Sequence, residues 1–157
     1  MEELRVPTLT LPVSISYFDE KKLKGEVFLP AMAATHEGPT RPEEWLNYGN
    51  PFFPFVPEGQ SRAVILNKRY VIVLTVALDS FSAVGLTGVE RRVSLECGSL
   101  SLSGAVLIDM PASQSRLADW INRPDRFLLL KGDSEVHLVQ KSRITRLSEI
   151  REEQRVN

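Results

Sequence analysis

The chain has 157 residues, and 19 Lys and Arg against 20 Asp and Glu give a formal net charge of -1. This balance argues against a general polyanion binder but leaves local basic patches open. The single cysteine excludes an internal disulfide. The longest apolar run, from Tyr70 to Leu78, is about half the length that crosses a bilayer. We therefore expect a cytoplasmic protein without membrane insertion.

The first half of the chain follows a strand pattern interrupted by one short helix. Residues 13–17 alternate apolar and polar side chains, and 23–29 form the returning strand after a polar turn. A short helix at 41–47 ends before a Gly-Asn-Pro turn. Residues 52–56 then form a third strand, where Pro54 predicts an edge or an interruption. Residues 63–74 form a final hairpin.

The second half repeats this order. Hairpin residues 93–97 and 102–108 precede a short helix at 116–122, a strand at 127–131 and a last hairpin at 136–147. Gly25 and Gly104 fall at the same point of the returning strands, where a glycine indicates a bulge or a bend. The repeats are predicted at 10–78 and 93–150, with a connector at 79–92 and a charged tail at 151–157.

The strongest sign of duplication is a motif that contains both tryptophans of the chain. Four pairs are equivalent: Arg41 with Arg116, Glu44 with Asp119, Trp45 with Trp120, and Asn47 with Asn122. We interpret these residues as a structural motif. Each acid lies three residues from its arginine, a helical contact distance that favours an ion pair over paired acid–base catalysts. Each tryptophan is predicted to fill the core of its repeat, with base stacking as the alternative.

These elements predict a mainly β protein with short helices, composed of two tandem SH3-like or Sm-like barrel-type repeats. Each repeat runs strand, strand, helix, strand, strand, strand. A unit of roughly 60 residues buries only about 60% of its unfolded surface and is marginal alone. We therefore expect the repeats to pack as a pseudo-dimer about a two-fold axis. Whether they form separate barrels or share one sheet is open.

The second copy also resembles a known type of domain. The run 116–122, followed by Phe127-Leu-Leu-Leu and by Val139-Gln-Lys, is similar to an uncharacterised bacterial domain family with an Arg-Leu-x-Asp-aromatic-Leu-Asn motif. The resemblance implies a bacterial origin and brings no activity with it. The first copy departs from the motif, because Pro42 stands where the family has Leu.

Few residues indicate chemistry. Cys97 shares its strand parity with apolar residues and is predicted to be a core thiol. His137 is predicted to face solvent, and His36 lies in a long loop. Two isolated histidines do not supply the three or four ligands of a metal site. We predict no catalytic residue, no metal and no cofactor.

Basic residues at the last hairpins are the best functional lead. They are Lys68 and Arg69 in the first copy, and Lys141, Arg143 and Arg146 in the second. Such turns can bind phosphates or an acidic partner.

Three functional hypotheses follow. The first is a non-enzymatic interaction or scaffold module that binds another protein or itself. The alternative is single-stranded nucleic-acid or anion binding through the basic hairpin turns. The third is a small enzyme of unknown reaction that uses Cys97, Asp109 and His137.

Overall fold

The computed structural model describes residues 8–31, 33, 40–80, 88–109 and 116–150. The first unit, residues 8–80, contains β1 (Thr8–Tyr17), β2 (Lys21–Pro30), α1 (Pro42–Asn47), β3 (Phe52–Pro57), β4 (Val64–Asn67) and β5 (Val71–Ala77). The second unit, residues 88–150, contains β6 (Val89–Cys97), β7 (Leu100–Ile108), α2 (Leu117–Ile121), β8 (Phe127–Lys131), β9 (Glu135–Gln140) and β10 (Arg146–Glu149). A 3-10 turn follows the fourth strand of each unit, at Lys68–Tyr70 and Lys141–Arg143.

The prediction of a mainly β protein with short helices is confirmed. Ten antiparallel strands form one sheet in the order β10-β6-β7-β8-β9-β5-β1-β2-β3-β4. Each unit therefore has the same internal order, in which its fifth strand lies beside its first. The structure does not confirm two separate SH3-like or Sm-like barrels, because the units share this sheet.

The expected two-fold pseudo-dimer is also not confirmed. The units meet where β5 pairs with β9, so the fifth strand of one unit contacts the fourth strand of the other. A two-fold axis would instead bring equivalent surfaces together. The contact is head-to-tail, and it places different parts of the repeated unit side by side.

The two glycines occupy equivalent places, as predicted. Gly25 lies opposite Val13 in the first hairpin, and Gly104 lies opposite Val93 in the second. A Cβ atom at Gly25 would lie 2.2 Å from the carbonyl oxygen of Val56, and at Gly104 the matching distance to the oxygen of Lys131 is 2.6 Å. These positions need glycine because the third strand of each unit crosses the hairpin there.

The predicted edge or interruption at Pro54 is confirmed only in part. β3 is continuous through this residue and is not an outer strand, because β4 pairs beside it. Pairing of β3 with β2 involves only residues 55–57, so Pro54 lies before that ladder begins. A proline costs a strand little where no neighbour requires its missing N–H.

The described residues form two hydrophobic clusters, and one tryptophan belongs to or packs against each. Trp45 is partly buried against the first cluster and packs edge-on to Phe53, with ring centroids 4.9 Å apart. Trp120 is buried in the second cluster, which also holds Cys97. Leu117 and Ile121 lie at helical spacing on the same face as Trp120 and pack against this cluster. The core thiol at Cys97 is confirmed, and burial raises its pKa.

The bounds of the second unit differ in part from the prediction. β6 begins at Val89, inside the segment predicted to be a connector. It pairs with β7 along its whole length, from Val89 opposite Ile108 to Cys97 opposite Leu100. The tail at 151–157 and the loop that contains His36 lie outside the described residues.

Candidate functional site

The contact between the two units, which we call the joint, is built on the pairing of β5 with β9. Leu74 lies opposite Leu138 at its centre, and both side chains are completely buried. Val136 and Leu138 of the second unit belong to the first hydrophobic cluster, whereas Val73 of the first unit belongs to the second cluster. Each core is therefore completed by the other unit.

The side chain of Asn47, at the end of α1, forms hydrogen bonds with backbone groups of the second unit. Its Oδ1 accepts hydrogen bonds from the backbone N–H groups of Arg126 and Phe127 at 2.9 and 2.8 Å. Its Nδ2 donates to the carbonyl oxygen of Phe127 at 3.4 Å. The equivalent Asn122 instead donates to the carbonyl oxygen of Ala118 within its own helix. One member of this repeated pair thus binds across the joint and the other does not.

Gln140, at the end of β9, binds the 3-10 turn of the first unit. Its buried Nε2 lies 3.0, 2.9 and 3.0 Å from the carbonyl oxygens of Lys68, Arg69 and Val71, which share the two N–H donors of the amide. The carbonyl oxygen of Lys68 also accepts a hydrogen bond from the backbone N–H of Val71 within the turn, so the Gln140 amide adds a link from the second unit to a turn that is already closed. The equivalent residue of the first unit is Asn67, which accepts a hydrogen bond from Arg69 of its own turn. The sequence analysis did not identify Gln140, although its alignment with another amide was a usable signal.

The lysines of the two 3-10 turns have the same internal role in both units. The Lys68 ammonium donates to the carbonyl oxygens of Trp45, in the last turn of α1, and of Tyr48, which follows the helix; it lies 5.0 Å from the Trp45 ring centroid. The Lys141 ammonium donates to the carbonyl oxygen of Arg123 and lies 5.9 Å from the Trp120 ring. A cation at the carboxyl end of a helix satisfies carbonyls that the helix leaves free.

Burial makes the charged form of Lys68 energetically unfavourable. The residue is only 7% exposed, and removal of water lowers its pKa to about 8, with a smaller contribution from repulsion by Arg126. Lys141 is less buried and forms an ion pair with Asp125 at 2.6 Å. Both predicted binding lysines therefore have protein partners for their charge.

Three of the five predicted basic residues border one cleft beside the joint. This basic cleft, with a volume of about 890 Å³, is bordered by Lys68 and Arg69 of the first unit and by Arg123, Arg126 and Lys141 of the second. Asp125 is the acidic residue on its wall. Arg123 pairs with Asp109 at 3.2 Å, whereas Arg69 and Arg126 are exposed. The sequence analysis missed Arg123 and Arg126, because only the joint brings them beside Lys68.

Arg143 and Arg146 are not among the residues that border this cleft. Arg146 begins β10, opposite Glu96 of β6, on the other side of the second unit from the joint. The five residues thus do not form one surface. Their proposed role in binding anions stays a prediction.

The ion pairs predicted for the tryptophan motif are present. Arg41 Nε lies 3.1 Å from Glu44 Oε1, and Arg116 Nε lies 3.0 Å from Asp119 Oδ2. The Glu44 carboxylate also accepts a hydrogen bond from the backbone N–H of Arg41. These contacts support the structural interpretation of the motif over paired acid–base catalysts.

The candidates for the enzymatic hypothesis have separate partners. Cys97 is buried in the second core, and Asp109 pairs with Arg123. The prediction that His137 faces solvent was wrong, because its side chain is only 14% exposed and lies against Thr75 of β5 at the joint. Its Nδ1 lies 2.8 Å from Thr75 Oγ1, and burial lowers its pKa against a weaker opposing effect of Glu135.

One exposed apolar surface stands out at the far end of the sheet. Phe52, Pro54 and Ile65 share a face of β3 and β4, which we call the outer face; the exposed fractions of Phe52 and Ile65 are 58% and 65%. Phe53 and Phe55 point the other way into the first core. The position of Phe52 beside the outer strand β4 makes it accessible to a partner.

The described residues contain no group of three or more His, Cys, Asp or Glu side chains that could hold a metal ion. Among the same residues, the helices are too short and too polar to span a membrane. No protein-family model, curated protein or solved structure matches the chain.

Replacement of Asn47 with Ala should weaken the joint. It leaves the N–H groups of Arg126 and Phe127 without their acceptor, and we expect the free energy of unfolding to fall by roughly 1–3 kcal/mol. The matched control is Asn122→Ala, which should change it by less than about 0.5 kcal/mol. Urea denaturation in dilute solution measures both, and equal losses would contradict the assigned role of Asn47.

The His137 side chain should make stability depend on pH. Its pKa is lowered in the folded state, so below the ordinary value of about 6.5 the unfolded chain binds a proton more readily. Stability should therefore fall as the pH drops from about 6.5 towards the folded pKa. His137→Gln should lose less stability over this range than the unmodified chain when unfolding is measured at pH 7 and at pH 5. Equal losses of stability in the variant and the unmodified chain would contradict a lowered pKa for His137.

Proposed function

We propose that this protein is a non-enzymatic interaction module that binds a protein partner through the outer strands of its sheet. The observation that carries this proposal is the exposed outer face. Soluble proteins generally protect outer strands with charges or prolines, and clustered exposed apolar side chains at an edge favour a binding surface. An added strand would satisfy the free backbone groups of β4 while covering Ile65.

The repeated architecture supports this proposal. We infer that the units are two copies of one small SH3-like or Sm-like barrel-type repeat, because their elements follow in the same order and their hairpins have the same register. Within the chain, such a unit already binds a neighbour by pairing its fourth strand with the neighbour's fifth. The two units of this chain thus already contact one another by strand pairing.

A second candidate function is supported by the basic cleft. Exposed Arg69 and Arg126 lie on opposite sides of the joint and can hold an anion such as a phosphate between them. Against this function, the nearby ammonium groups bind protein carbonyls, and Lys141 also binds Asp125. The interaction module therefore ranks first. The enzyme hypothesis ranks last, because its three candidate residues have separate partners.

The interaction proposal predicts contact at Phe52 in living cells. We expect a photoreactive benzoylphenylalanine at position 52 to give covalent protein adducts after irradiation in the source organism. The matched control is position 9, because Leu9 is also an exposed apolar residue but lies on β1, three strands from β4. Mass spectrometry identifies the adducts. No adduct above the level seen at position 9 would contradict the proposal.

The anion-binding candidate predicts that a short single-stranded oligonucleotide binds at low salt and that the affinity falls as salt rises. The double variant Arg69→Ala with Arg126→Ala should weaken this binding about tenfold or more. Arg143→Ala with Arg146→Ala removes the same charge away from the cleft and should have a smaller effect. Fluorescence anisotropy measures the affinity. Equal effects of the two double variants would exclude the cleft as the site.

A further inference from the structure

Each chain carries a second copy of both strands that form the joint, and these second copies do not take part in it. The joint uses the fifth strand of the first unit and the fourth strand of the second. The remaining fourth strand, β4, and the remaining fifth strand, β10, are the outer strands of the sheet. Among the described strands, each of them pairs on one side only. A head-to-tail contact between two units therefore leaves complementary edges at the two ends of the chain.

The β4 side carries apolar residues whose copies in the second unit are buried. Phe52 corresponds to Phe127, which is 2% exposed, and Ile65 corresponds to Leu138, which is completely buried. Both copies are covered by the first unit at the joint, where they join its hydrophobic cluster. The outer face thus has the composition of a joint surface from which the matching unit is missing.

The β10 side of the sheet carries the counterparts of the first-unit residues that contact the second unit at the joint. Leu147 corresponds to Leu74 at the centre of the joint, and it pairs with Leu95 of β6 as Leu74 pairs with Ile15 of β1. Asn122 corresponds to the bridging Asn47 but is exposed and bonded only within its own helix among the hydrogen bonds described. Its target by analogy is the backbone N–H of Phe52 in a neighbouring molecule.

We propose that the chain associates with a second copy of itself, head to tail, by pairing of β4 in one molecule with β10 in the next. The register follows from the joint, where Leu74 lies opposite Leu138, and it places Leu147 opposite Ile65 of the neighbour. This inference rests on the proposed interaction function and names its partner. Because the contact is heterologous, it leaves a free β4 and a free β10 until a ring closes.

The intermolecular contact is weaker than the joint. At the joint Val73 and Val76 are buried, whereas their counterparts on β10 are Arg146 and Glu149, both exposed. Replacing two buried valines with charged residues removes apolar area and adds a desolvation cost. The association is therefore reversible and depends on protein concentration.

Disulfide trapping tests the register. Two single-cysteine variants, Ile65→Cys and Leu147→Cys, are prepared with Cys97→Ala and with tags of different size, then mixed and oxidised. Residues directly opposite in antiparallel strands have Cα atoms about 4.5–5.5 Å apart, within the range of a disulfide. We expect the crossed dimer, linked between positions 65 and 147, as the main product and none when Leu9→Cys replaces Ile65→Cys. Absence of the crossed dimer, or homodimers of the Ile65→Cys variant in equal yield, would overturn the proposal.

Sedimentation velocity over a range of concentrations tests the association without cysteines. The unmodified chain should form species larger than a monomer, and Ile65→Lys should weaken that association at least about tenfold. Leu9→Lys should leave it unchanged. A chain that stays monomeric at every concentration overturns self-association. If position 52 nevertheless gives adducts with other proteins in cells, the interaction proposal stands alone; without such adducts both fail.

Discussion

The pairing of β5 with β9 is the contact on which the rest of the structure depends. It joins two five-stranded halves into one sheet and also divides the core between them, because Leu138 and Val136 complete the first cluster while Val73 completes the second. Separation of the units would expose buried apolar side chains of both. A unit of this size is marginal alone, and the shared cores add apolar burial that neither half has by itself.

Most local features of the fold could be predicted from the sequence. The repeated tryptophan motif, the Arg-to-acid ion pairs and the glycines at the hairpin crossings depend on residues near one another in the chain. The joint could not be predicted in this way, because it pairs residues 58 to 66 positions apart in the chain and its partners are not equivalent copies. A two-fold arrangement was the simpler expectation for a duplicated chain. The prediction that His137 faces solvent came from strand alternation, because its neighbours Val136 and Leu138 point to the other face.

The sequence nevertheless contained a signal for the joint. Residues 71–77 form an almost continuous apolar run, whereas their copies in the second unit include Arg146, Ser148 and Glu149. A strand that is apolar on both faces is typical of the interior of a sheet, and a charged copy is typical of an outer strand. The difference between the copies, more than their similarity, locates the joint. The basic cleft could be predicted only after that step, since Arg126 and Arg69 approach one another through it.

The same comparison shows how the two ends of the sheet differ. β10 carries Arg146 and Glu149, charges of the kind that protect an outer strand from uncontrolled pairing. β4 has no such protection over Val64 to Leu66, and beside it the outer face exposes Phe52. If selection acted only to keep the two outer strands unpaired, both strands should carry charged residues. The apolar edge at β4 and the charged edge at β10 are better explained by a binding role. In that role β4 provides most of the binding energy, and the charges of β10 limit the affinity and select the partner.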